Sequence, residues 1–346
     1  MQRISNKVPE SQTPTSEVEI QSKNNLQRLG TRRHILDLDD FSVDDLRDVL
    51  EVTVAMKEIL TREVKKVPTL RGKTIMTLFL EPSTRTRVSF ETAGKMLNAD
   101  VINLSSNDSS IEKGESFLDT VLTLQATGAD VLVLRHGDSG APYFAARNLS
   151  HVSVINAGDG SHAHPTQALL DLFTMQSHIK NLEGSRVVIV GDISHSRVAR
   201  SNMWGLTKLG ANVVLSGPST LIPWELLNGR DETPGHPFSG IEVEMDLDKA
   251  LRDADVVMAL RVQKERQMVG SFPSIREYTR YWQVNEERLA KAKPGTYVMH
   301  PGPVNEGVEL SPGIAHGQKT LIQEQVTNGV AVRMALLLRL MISKEQ

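Results

Sequence analysis

The sequence predicts an α/β protein of two domains, each a mostly parallel sheet flanked by helices, with the functional site in the cleft between them. Three observations carry that expectation. From Ile35 onward, short runs of Val, Ile and Leu alternate with helix-patterned segments, the order that βαβ units produce. The 346 residues favour two domains, at roughly 150 residues per domain. Polar and cationic residues also follow strand after strand at the carboxyl end, where open parallel sheets bind their ligands.

Taken in chain order, the first 33 residues are polar, carry six Lys/Arg and three Glu, and lack the apolar core of a secretory signal, so residues 1–31 are expected to be a flexible extension. Thr74–Leu80 is the first expected strand, and a helix is expected from about Arg87 to Leu97. Ser116–Thr127 reads as a helix, Val131–Leu134 and Val152–Asn156 as strands, and Thr166–His178 as the helix that joins the two halves, with the boundary near Thr166. The second half repeats the alternation: strand Arg186–Val190, helix Arg197–Leu209, then strands Asn212–Leu215, Val256–Leu260 and Thr296–Met299. Gly217–Gly240 reads as loop, and Gln325–Met341 as an amphipathic closing helix able to pack back on the first domain. The Val, Ile and Leu content of the strands suits sheets covered on both faces.

Composition narrows the chemistry. Hydrophobic residues make up 39% and charged residues 23%, as in an ordinary globular protein, and the net charge of −3 gives no reason to expect nucleic acid or an anionic membrane as partner. The absence of cysteine excludes disulfides, thiolate metal sites and a cysteine nucleophile. No run approaches 18 consecutive apolar residues, since Arg339 interrupts the richest one, and a cytoplasmic, soluble protein is expected.

The densest chemical signal is Glu81-Pro82-Ser83-Thr84-Arg85-Thr86-Arg87, between a strand and a helix start. The N–H groups of a helix N-terminus, hydroxyls and an Arg fork together suit a phosphate. It is not a P-loop, because the Gly-rich stretch and its Lys-Ser/Thr are missing. A helix cap with surface arginines is the plainer alternative, but two hydroxyl pairs interleaved with two arginines exceed what capping requires. Arg135-His136, Gly191-Asp192, Arg261 with Gln263, and His300-Pro301-Gly302-Pro303 follow four further strands. His164 and Gln167, three apart at a helix start, can share one face. His162 and His164 could be read as metal ligands, but no third ligand stands at supportive spacing, so neither metal nor cofactor is expected. In Ser109–Glu115, Lys113 either reaches an anion or is simply solvated.

These residues resemble a known family. Glu81–Glu91 (EPSTRTRVSFE), Lys113–Glu115 (KGE), Asn156–Phe173 (NAGDGSHAHPTQALLDLF), Val262–Arg266 (VQKER), His300–Pro303 (HPGP) and Gln325–Met334 (QVTNGVAVRM) are similar to the aspartate/ornithine carbamoyltransferases, and the VQKER and HPGP segments to the aspartate enzymes among them. The likeness runs from about Arg33 to the C-terminus.

The resemblance implies a carbamoyl phosphate-binding domain at 32–165, an aspartate-binding domain at 166–319, and a C-terminal helix at about 320–346 that packs back on the first. It implies a homotrimer with shared sites and the reaction of carbamoyl phosphate with L-aspartate to give N-carbamoyl-L-aspartate and phosphate, an early step of pyrimidine synthesis. Carried onto this sequence, Ser83, Thr84, Arg85 and Thr86 would hold the phosphate. Thr86, Arg135 and His164 would surround the carbonyl oxygen, and Gln167 with the backbone at Gly302 and Pro303 would meet the amino group. Arg197 would take the α-carboxylate of aspartate, Arg261 and Gln263 its β-carboxylate, and Ser109 and Lys113 would enter the neighbouring subunit's site. The catalytic set implied is Arg85, Thr86, Arg135, His164 and Lys113. Asn305-Glu306-Gly307 departs from the Asn-Arg-Gly common in bacterial members, which bears on aspartate affinity if Glu306 faces the cleft. Ornithine or acylated ornithine as acceptor, or a non-catalytic role, are the alternatives; a regulatory chain or a dihydroorotase partner is left open.

Overall fold

The computed structural model describes residues 32–105, 115–227, 238, 240–262 and 274–342. Strands β1 (Thr74–Phe79), β2 (Asp100–Ser105), β3 (Val131–His136) and β4 (Ser153–Asp159) form a parallel sheet in the order β2-β1-β3-β4. A second parallel sheet, β7-β6-β5-β8-β9, contains β5 (Arg186–Val190), β6 (Asn212–Ser216), β7 (Glu242–Val243), β8 (Val256–Ala259) and β9 (Tyr297–Met299). The longer helices are α1 (Val43–Thr61), α2 (Thr84–Met96), α3 (Phe117–Ala126), α4 (Ala141–Asn148), α5 (Pro165–His178), α6 (Arg197–Lys208), α7 (Ile275–Trp282) and α8 (Ile322–Ile342).

Local chemistry explains the starts. Ser42 and Asp45 form a reciprocal capping box at α1, and Ser116 and Ser196 accept from Asp119 N–H and Ala199 N–H at α3 and α6. Pro165 begins α5, where its missing N–H leaves no bond unmade.

The central strands are buried on both faces, β3 from Val131 to Arg135 and β5 from Val187 to Val190. One hydrophobic cluster joins Ile75, Phe90 and Ile155 of the first sheet's layer to Val187, Ile189 and Met203 of the second through α5 and α8. Separate clusters cover the opposite faces, around Leu78 and Leu132 in one sheet and Val188 and Val257 in the other. α8 is long and apolar enough to cross a membrane by length and composition alone, but 78% of its apolar window is buried against the rest of the chain. It packs on α1, α2 and α5, with Arg339 paired to Asp45 and Glu324 bridged to Lys57 at 2.9 Å.

Four elements depart from the sequence reading in their bounds or their presence. α2 starts at Thr84, a turn before the expected Arg87, so Thr84, Arg85 and Thr86 form its first turn and Ser83 is its N-cap. Thr, β-branched and a weak helix former, masks that turn in the sequence pattern. β2 went unread because it is an edge strand with Ile102 exposed and Asp100 and Asn103 inside its run, and β7 because it has two residues. α8 begins one turn before Gln325.

In both sheets the chain reverses its direction of travel across the sheet, between β1 and β3 in the first and between β5 and β8 in the second. Such switch points open a crevice at the strands' carboxyl ends.

Candidate active site

The segments after β1, β3, β5 and β8, together with the start of α5, the segment after β9 and the start of α8, line one cleft of about 820 Å³. It brings together Ser83, Thr84, Arg85 and Thr86 with Arg135, His164 and Gln167, and with Arg197, Arg261, Gly302 and Pro303. Ser109, Lys113 and Gln263 lie outside the described residues.

The N-terminus of α2 has the chemistry of an anion cradle. Its first-turn N–H groups have no intrahelical acceptor and carry the positive end of the helix dipole. Ser83 supplies no side-chain cap to them. Arg85 is exposed and Thr86 buried, so the guanidinium is open to ligand while the second hydroxyl is set by packing. Gly302 approaches Arg85 so closely that a Cβ there would collide with the guanidinium, and its φ of +67° favours glycine independently.

Behind the cradle, Glu81 joins two arginines. Arg135 donates from Nη2 to its Oε1 at 2.6 Å, and Arg197 donates to Oε1 and Oε2 at 2.8 and 2.9 Å. Arg135 also donates to Ala157 O and Arg197 to Gly160 O, both at 3.1 Å. The two guanidinium groups pass over Gly158, where a Cβ would sit 3.0 Å from each. One carboxylate thus fixes Arg135 of β3 and Arg197 of α6 with directed, charge-assisted bonds.

Among the described residues, five arginines line the cleft, Arg85, Arg135, Arg197, Arg261 and Arg333, against the single carboxylate Glu81. Arg333 donates to Ser89 Oγ at 2.8 Å and lies over the Phe90 ring, and burial holds it down to about 10. The same field acts on the histidines. Burial, then the charges of Arg197, Arg135 and Arg333, hold His164 well below the usual imidazole range. Burial, Arg85 and Arg261 push His300 down to about 3. Both shifts favour the neutral imidazole, which can donate to a carbonyl oxygen without adding charge. His162 turns away from the cleft toward Asp159, 3.1 Å from Nδ1 to Oδ2.

Arg261 follows β8, and Glu309 fixes the backbone beside it by accepting from Val262 N–H at 2.7 Å and from Asn305 N–H and Nδ2 at 2.8 and 2.7 Å. Glu306 is exposed and meets His316 at 3.0 Å; it is absent from the cleft lining. Sequence reasoning gave no role to Glu81, Arg333, Gln325 or Glu309. Glu81 stood inside the quoted motif beside Pro82, where a carboxylate next to an expected anion site was the available signal.

A profile described as the aspartate/ornithine carbamoyltransferase carbamoyl-P binding domain matches residues 33–177, and one described as the Asp/Orn binding domain matches residues 183–340. The chain belongs to the aspartate/ornithine carbamoyltransferase family. It is 57% identical to the aspartate carbamoyltransferase catalytic subunit of Roseiflexus sp. (strain RS-1), over 91% of this chain and 96% of that one. It is also 57% identical to the subunit of the same description from Dehalococcoides mccartyi (strain CBDB1), over 90% and 93%. Among solved structures, Trypanosoma cruzi aspartate transcarbamoylase in complex with N-(phosphonacetyl)-L-aspartic acid aligns with TM-score 0.79 at 30% identity, covering 89% of this chain and 95% of that one. Ornithine carbamoyltransferase from Pyrococcus furiosus aligns with TM-score 0.78 at 30% identity, covering 88% and 96%. As a member of this carbamoyltransferase family the chain is an enzyme, built on the two parallel-sheet layers that its neighbours share.

Proposed function

We propose that the chain catalyses carbamoyl transfer from carbamoyl phosphate to L-aspartate, giving N-carbamoyl-L-aspartate and phosphate, an early step of pyrimidine synthesis. The observation that carries this reading is one cleft in which a helix N-terminus, five arginines among the described residues and the buried His164 converge from the halves of both sheets. A phosphate dianion and two carboxylates call for that many cations and for few proton-transfer groups. The fold is close to an ornithine enzyme as well as to aspartate enzymes, so the acceptor must be argued from chemistry. Arg261 in the second sheet's half suits a β-carboxylate and opposes an amino cation.

In this reading residues 32–165 hold carbamoyl phosphate, residues 166–319 hold aspartate, and α8 braces the first. Ser83, Thr84, Arg85 and Thr86 bind the phosphate, and Arg197 and Arg261 with Gln263 bind the carboxylates. The aspartate amine attacks the carbamoyl carbon; Thr86, Arg135 and His164 stabilise the oxyanion, and the C–O bond to phosphate breaks. The departing phosphate takes the amine proton, so no protein base is required. Holding both reactants in one cleft contributes on the order of 7–11 kcal/mol to lowering the barrier. Glu81 sets the guanidinium planes of Arg135 and Arg197 before substrate arrives. The reading extends to a homotrimer in which Ser109 and Lys113 serve the adjacent subunit's cleft, and to a cytoplasmic location, checked by cell fractionation.

The test is product analysis with carbamoyl phosphate and either aspartate or ornithine. N-carbamoylaspartate is expected; citrulline, or no product from either acceptor, overturns the assignment.

A further inference from the structure

Below the cleft one buried carboxylate serves two amide side chains. Asp171 lies one turn after Gln167 on α5 and is fully buried. Its Oδ1 accepts from Gln167 Nε2 at 2.9 Å and from Gln325 Nε2 at 2.8 Å, and its Oδ2 accepts from Asn202 Nδ2 at 2.9 Å. An ionised carboxylate only accepts, so it dictates which end of each amide faces it. Gln325 is thereby turned to present Oε1, which accepts His300 N–H at 3.1 Å. His300 Nδ1 in turn accepts Gly302 N–H at 2.8 Å. Gln167, which lines the cleft, is left with Oε1 as its remaining polar atom.

We propose that Asp171 is a positioning residue that fixes Gln167 and the His300–Pro303 segment as acceptors for the carbamoyl amino group. The proposal deepens the carbamoyl-transfer reading and rests on it. A carbamoyl group differs from a bare phosphate by a planar NH₂ that only donates, so a correct amide orientation distinguishes the two ligands. Without Asp171 either end of Gln167 could face the cleft, and the donating end would meet a donor.

The groups facing Asp171 are Gln167 on its own helix, Asn202 from α6, and Gln325 and Arg333 from α8. Burial raises its carboxyl to about 6, against the lowering effect of those donors and of the Arg333 charge. Once protonated, Asp171 can donate from one oxygen and no longer imposes the orientation. Carbamoyl phosphate binding then weakens on the acid side.

Asp171→Asn tests this. With wild-type enzyme assayed alongside, kcat/KM for carbamoyl phosphate is expected to fall on the order of 10- to 100-fold, while inhibition by inorganic phosphate stays within about twofold. Adding Asp171→Asn to Gln167→Ala is expected to cost several-fold less than Asp171→Asn costs the wild-type enzyme, because one of the two acceptor groups it orients is already gone. Equal weakening toward phosphate, or losses that multiply, would overturn the proposal. A wild-type enzyme that forms no N-carbamoylaspartate would instead sink the underlying reading. If Asp171→Asn does not fold, Asn202→Ala decides: Asn202 is not among the cleft-lining residues, and its loss removes one of three donors that keep Asp171 ionised. The acid limb of kcat/KM for carbamoyl phosphate is then expected to move to higher pH, and an unmoved limb refutes the proposal.

Discussion

At the residue scale the cleft separates side chains that open into it from side chains that hold them in place. Arg85 is exposed in the first turn of α2, so its removal leaves little unsatisfied in the fold and, in the proposed reading, withdraws a guanidinium from the phosphate. Arg85→Ala is expected to lower kcat/KM by on the order of 10²–10³-fold or more with an unchanged melting temperature; activity within tenfold of wild type would refute the cradle. Arg261→Lys exchanges a planar fork for a point charge. It is expected to raise the aspartate KM by about 10- to 100-fold, the size of one charge-assisted hydrogen bond, and to leave carbamoyl phosphate binding nearly untouched. Equal losses for both substrates would argue against the division of labour between the halves. The residues that line the cleft were legible in the sequence because they cluster in short motifs at strand ends. The residues that hold them in place were not, since each acts on a distant partner: Glu81 and Arg197 stand 116 positions apart, and Asp171 and Gln325 stand 154 apart.

At the scale of elements, strands buried on both faces were legible as continuous apolar runs, and their βαβ order gave the parallel sheets. The edge strand β2 and the first turn of α2 were hidden, the one by its polar residues and the other by threonines. α1 shows a further dependence, since its N-terminal cap is shared with the closing helix. Asp45 accepts from Ser42 N–H at 3.1 Å while pairing with Arg339 of α8. Burial alone would raise its carboxyl, but the Ser42 and Arg339 donors outweigh it and hold it down to about 2. A carboxyl lowered in the folded state adds stability that is fully present above the unfolded value of 3.8 and is lost as pH falls toward 2. Asp45→Asn is therefore expected to melt a few degrees below wild type at neutral pH, about 2–4 °C for each kcal/mol lost. That gap should close as pH falls from 4 to 2, and a gap independent of pH would show that the charge is not what holds α1 to α8.

At the scale of the whole molecule, the described cleft holds Arg85, His164 and Arg261 from one chain, while the proposed reading assigns Lys113 to the cleft of a neighbouring subunit in a homotrimer. Such sharing, if the proposal holds, has a consequence for mixed assemblies. Lys113→Ala and His164→Ala homotrimers are each expected to be nearly inactive, since every site in either carries a lesion. When the two are dissociated, mixed and reassembled, any ring containing both chain types has one interface that pairs an intact His164 with an intact neighbouring Lys113. Each mixed trimer regains one native site of three, and an equal random mixture should recover roughly a quarter of wild-type activity. If Lys113 served its own subunit, each site would keep one of the two lesions however the chains were combined. Activity would then stay at the parental level, even with hybrid trimers verified by native mass spectrometry.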